Sequence, residues 1–93
     1  AHVVSNAYIK SPEAERRRGF SAGSYKDMTR VARLDEDMWS ELMIGNADYL
    51  SEQLRVLIDN LNKYLSALDR RDEAELRALL REGRIKKAEA GGD

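Results

Sequence analysis

Ninety-three residues allow at most one small domain with a thin core of its own. A formal net charge of −1 removes the basic excess that a nucleic-acid binder needs, and no apolar run reaches the ~20 residues that span a bilayer. With no cysteine, disulfides, thiolate metal sites and cysteine nucleophiles are excluded, and the composition is compatible with a reducing cytoplasm.

The chain opens on AHVVSNAYIK, without Met, in what reads as an apolar helix over residues 2–10. Such a start is expected of a piece of a longer protein. Ser11 and Pro12 then predict a helix start, with Glu13 and Glu15 in its first turn and Arg16, Arg17 and Arg18 before Gly19 at its end. The three arginines suit a solvated helix end, or an aid to an anionic ligand. Phe20–Ser24 reads as a small-residue loop, with Ser24 capping a third helix over 25–33.

Asp35 is the expected cap of the main element. From 36 to 69 there is no proline, and apolar residues recur in heptads. One seam is Met43, Leu50, Leu57 and Tyr64; the other is Ala47, Leu54, Leu61 and Leu68, widened by Ile44, Ile58 and Leu65. A continuous helix of this length would be ~50 Å long, beyond the width of a compact domain of this size. A second chain or another domain is expected to cover it. Gly45 is the weak point and suggests a close helix crossing. Asp69-Arg70-Arg71-Asp72 reads as a polar turn. Asp72 caps a last helix that carries Leu76, Leu79, Leu80 and Ile85, weakened at Gly83 and frayed over 88–93. The fold class is all-α: one long central helix over about 36–69 and shorter flanking helices.

Residues 20–46, FSAGSYKDMTRVARLDEDMWSELMIGN, resemble the signature of the prephenate dehydrogenase family. The resemblance rests on Gly23, on Lys26-Asp27-Met28-Thr29-Arg30-Val31-Ala32, on Met38-Trp39-Ser40-Glu41-Leu42 and on Asn46, in that order and spacing. It implies that residues 1–93 form the C-terminal helical domain, which binds substrate and dimerises. The nucleotide domain that carries NAD or NADP would lie outside this chain, which has no G-x-G-x-x-G. His2 resembles the second histidine of the family's H-x-x-H motif.

The resemblance assigns the site residues. Arg30 would bind a carboxylate of the prephenate or arogenate substrate, with His2 and Trp39 as further substrate contacts and Asp27, Thr29 and Asn46 in support. On spacing alone Asp27 and Arg30 make an ordinary surface i,i+3 pair worth a few tenths of a kcal/mol. Trp39 is equally the core anchor of a small domain or a pocket wall whose indole N–H donates. Asn46 is expected to be a buried polar group. No catalytic, cofactor-binding or metal-binding residue is expected within the chain. The implied protein is a cytoplasmic homodimer that catalyses oxidative decarboxylation of prephenate in tyrosine biosynthesis. The alternative is a stand-alone helical dimerisation module without catalysis.

Overall fold

The computed structural model describes residues 1–11 and 22–91, residues 22–25 in backbone only. Every element among them is helical: α1 (His2–Tyr8), α2 (Ala22–Thr29), α3 (Glu36–Gly45), α4 (Ala47–Asp69) and α5 (Glu73–Glu89). The all-α expectation holds, with α4 as the one long helix. They form two compact units, Ala1–Gly45 and Asn46–Asp93. The helix expected to start at Pro12 lies outside the described residues.

In the first unit, α1 packs against α2. It ends earlier than expected, in tight i→i−3 bonds from Lys10 N–H to the Ala7 carbonyl (3.2 Å) and from Ser11 N–H to that of Tyr8 (2.9 Å). The second helix starts at Ala22, so Ser24 lies inside its first turn rather than capping it. It stops at Thr29, four residues short of the expected end. The Thr29 carbonyl accepts the Ala32 N–H at 3.0 Å, and the Ala32 carbonyl accepts the Asn6 side-chain amide at 2.8 Å. That second bond takes Ala32 out of any helical ladder and ties the segment to α1. Asp35 then caps α3 as expected. Its Oδ1 accepts the Asp37 N–H at 3.1 Å, and its carbonyl accepts the Trp39 N–H at 3.0 Å. Glu36 and Asp37 place negative charge on the helix start.

The sequence suggests one helix over 36–69; the structure divides it. Asn46 has φ −120° and ψ 27°, outside the helical region, and its carbonyl starts a new ladder by accepting the Leu50 N–H at 3.0 Å. Gly45 and Asn46 are adjacent weak helix formers, so the interruption costs little there. No close crossing forms at Gly45, since a Cβ there would meet nothing within 4 Å. The central helix is therefore the 23 residues of α4, about 34 Å long.

The second unit is an antiparallel hairpin of α4 and α5. Tyr64 Oη donates to the Leu79 carbonyl across it at 3.4 Å. The expected polar turn closes it. Arg71 N–H donates to the Leu68 carbonyl (3.1 Å) and Asp72 N–H to that of Ala67 (2.8 Å). This is a Schellman closure, in which the residue after the cap adopts the left-handed region. Here that residue is Arg71, at φ 51°. Asp72 then caps α5 through Oδ1, which accepts the Glu75 N–H at 3.0 Å. The far end is less frayed than expected: α5 runs through Glu89, and Gly91 at φ 76° closes it with an N–H bond to Ala88.

The hairpin buries little. Ala67, 1% exposed, is the fully buried apolar side chain among the described residues. Leu50, Leu54, Leu57, Tyr64, Leu76 and Leu79 are half-buried. Ile58, Leu61, Leu65 and Leu68 stay 53–56% exposed.

Two substitutions test this account. Arg71→Gly removes the left-handed strain of a side-chain-bearing residue, and unfolding stability should rise by about 1 kcal/mol in urea titrations. At Gly83 a Cβ would meet only Tyr64 Oη, at 3.9 Å. Gly83→Ala should therefore stabilise α5 by roughly 0.5–1 kcal/mol, read as a shift in the urea midpoint. A loss of stability would mean that the hairpin is closer-packed there than described.

Candidate functional site

The first unit brings two of the expected site residues together. His2 starts α1, and Trp39 stands in the opening turns of α3, where the Asp35 cap sets the register. Their rings stack at a centroid separation of 4.4 Å with planes 25° apart. Both are half-buried. Trp39 is thus neither a fully buried core anchor nor a free surface ring. One of its neighbours is the imidazole, and it also forms part of a cleft wall.

That cleft measures about 360 Å³. Val3, Asn6 and Ala7 supply one wall from α1, extended by Lys10 just beyond its end. Leu34, Glu36, Trp39, Ser40 and Met43 supply the other. Met43, which the heptad reading put at the head of a seam, lines this cleft instead. The Asn6–Ala32 bond holds the walls together, because Ala32 leads directly into the capped start of α3. Ser40 Oγ donates to the Asp37 carbonyl at 3.3 Å, so its proton is committed to its own helix. Lys10 and Glu36 are the charged side chains in the lining, both exposed. Volume, apolar walls and a few polar groups suit a small organic ligand.

Of the expected site residues, Trp39 is the one in the lining; His2 touches the cleft only through its stack on Trp39, and Arg30, Asp27, Thr29 and Asn46 do not line it. Arg30 is exposed in the turn after α2, where a cation complements the helix C-terminus. Asp27 is exposed one turn earlier, and among the described residues it makes no ion pair with Arg30. Thr29 is half-buried as the last residue of α2. Asn46 is exposed, which corrects the buried role expected of it. Its side chain makes no capping bond; it acts through its backbone, at the start of α4.

Sequence reasoning passed over Asn6, Lys10 and Glu36. Val3, Asn6 and Ala7 fall at helical spacing, and that signal marks one face of α1 as a unit. Only the fold shows that this face meets Trp39. Among the described residues no cluster of three or more His, Cys, Asp or Glu could hold a metal ion, and no helix is long and apolar enough to cross a membrane.

Comparison with known proteins bears on what this arrangement serves. Residues 1–82 match the family described as "Prephenate dehydrogenase, dimerization domain". A cyclohexadienyl dehydrogenase of Zymomonas mobilis is 38% identical over 53 residues, 57% of this chain and 18% of that protein. A prephenate dehydrogenase of Lactococcus lactis is 25% identical over 64 residues, 69% of this chain and 18% of that protein. The chain thus spans about a fifth of the length of each of these relatives. No solved structure matches it. With most of its length covered by the match, and with the Lys26–Ala32 and Met38–Leu42 segments in place, the chain belongs to the prephenate dehydrogenase dimerization-domain family.

Proposed function

We propose that this chain is the C-terminal domain of an NAD(P)-dependent dehydrogenase that decarboxylates prephenate, or its amino counterpart arogenate, oxidatively. The reading rests on the family match over residues 1–82, and the names of the two relatives support it. The stand-alone dimerisation module is not favoured, because both relatives are dehydrogenases. A place in tyrosine biosynthesis and a cytoplasmic location belong to the same proposal.

The described residues do not fit a dinucleotide. They contain no strand, and the sequence lacks the G-x-G-x-x-G turn that places pyrophosphate on a helix N-terminus. Hydride transfer is therefore assigned to a separate nucleotide-binding domain, and no step of it to these residues. Their part is to bind and orient. Prephenate carries two carboxylates, and a planar guanidinium can hold one of them through paired hydrogen bonds. Arg30, exposed and without an ion pair among the described residues, is the group we assign to this. Trp39, with His2 stacked on it, offers the substrate a half-buried wall, and we assign Asp27 and Thr29 to the support of Arg30. The isolated chain should not turn over prephenate with NAD or NADP.

The second unit supplies the partner surface. Leu54, Ile58, Leu61, Leu65 and Leu68 fall within an arc of about 80° on α4. Four of them are more than half exposed in the single chain. A second copy that covers this stripe completes the burial that α5 leaves unfinished, as a coiled-coil-like homodimer.

Two measurements test the proposal. In the full-length enzyme, Arg30→Ala should lower kcat/KM for prephenate by about tenfold or more, since losing a charged hydrogen bond costs about 1.5–3 kcal/mol. An unchanged value would make Arg30 a purely structural surface residue. Leu65→Asp, on an exposed site, should convert the dimer to monomer in light scattering without unfolding α4. A dimer that persists would place the interface elsewhere.

A further inference from the structure

We propose that Lys10 is a specificity-determining residue that holds a carboxylate of the substrate inside the cleft walled by Trp39. The inference rests on the dehydrogenase reading and extends it to a position that the motif does not include. A dianion with two separated carboxylates is best met by two separated cations. Arg30 does not line the cleft, so it leaves one of these requirements open inside it. Among the described residues Lys10 is the cation in the lining, and no carboxylate is paired with it. Its ammonium, exposed at the cleft, can meet a ligand's charge. The flexible four-carbon stem of a lysine suits a point-charge contact that must follow a small ligand into place.

The rest of the cleft supports the same orientation. Val3, Leu34, Trp39 and Met43 offer apolar surface to a six-membered ring. Glu36, on the wall opposite α1, carries the charge that repels a carboxylate. The lining thus has a polarity: one carboxylate toward Lys10, ring toward Trp39, and the second carboxylate directed away from Glu36. A site built in this way selects by repulsion as well as by attraction.

The test uses the full-length dehydrogenase that contains this chain. Lys10→Met should raise KM for prephenate by about tenfold, the loss of one charged contact, with kcat changed by less than about twofold. Lys10→Arg should recover most of the affinity. Glu36→Gln should lower KM. Calorimetric titration of prephenate into nucleotide-free enzyme supplies a readout that needs no turnover, and its Kd should follow the same order. An unchanged KM and Kd in Lys10→Met, or a loss of kcat alone, overturns the assignment. If the wild type turns over prephenate and Lys10→Met binds it equally well, this inference fails and the functional reading stands. If the wild type binds prephenate through Lys10 without turning it over, the functional reading fails and the assignment of Lys10 stands. Absence of both binding and turnover ends both.

Discussion

A 23-residue helix with a leucine on nearly every turn has more apolar surface than one 17-residue neighbour can cover. That mismatch between α4 and α5 governs the second unit. Tyr64 meets Leu79 across the hairpin, and Leu57, Tyr64, Leu76 and Leu79 are half-buried, while Ile58, Leu61, Leu65 and Leu68 stay more than half exposed. Fully burying a leucine or isoleucine contributes about 1.5–3 kcal/mol, so a half-exposed stripe leaves a substantial favourable term unrealised. A surface of that size on a small chain marks an interaction site. In the proposed dimer the hairpin is one half of a larger core, and the family's description as a dimerization domain agrees with it.

The first unit works on different physics. Its geometry is set by a few directional bonds rather than by a filled interior. The Asn6 amide on the Ala32 carbonyl ends α2's reach and aligns the segment before α3; the Asp35 carboxylate then fixes where α3 starts. Those two bonds bracket the approach to α3, on which Trp39 stacks against His2 with planes 25° apart. The cleft follows, because α1 and α3 are held by their polar ends while the space between them stays unfilled. Such an arrangement leaves concave apolar surface available to a ligand.

Much of this was legible in the sequence, and the reasons are specific. Asp35 and Asp72 are caps because a carboxylate just before a helical run has few better uses, and both make the expected bond to a backbone N–H. The heptad rhythm disclosed the stripe because burial demand repeats every three or four residues whatever covers it. The same rhythm hid the break at Asn46. Met43, Ala47 and Leu50 keep helical spacing across it, and a single non-helical residue leaves the periodicity almost untouched. The bounds of α2 were misjudged for the opposite reason. Val31 and Ala32 look helical locally, but Asn6, 26 residues away, claims the Ala32 carbonyl. Lys10 and Glu36 carried no local mark, because their meaning comes from elements that are distant in the sequence.

The turn between α4 and α5 has a further consequence. Asp72 serves both helices at once. Its N–H closes α4 onto Ala67, its carbonyl and Oδ1 receive the opening N–H groups of α5 from Leu76 and Glu75, and Oδ2 pairs with Arg70 at 3.1 Å. One residue therefore belongs to two ladders, and neither helix can unravel from this end without disturbing the other. Opening at the corner breaks bonds of both ladders, which couples the two helices there. The exposed stripe gains from this: its C-terminal end, at Leu65 and Leu68, is anchored beside a corner that both helices share.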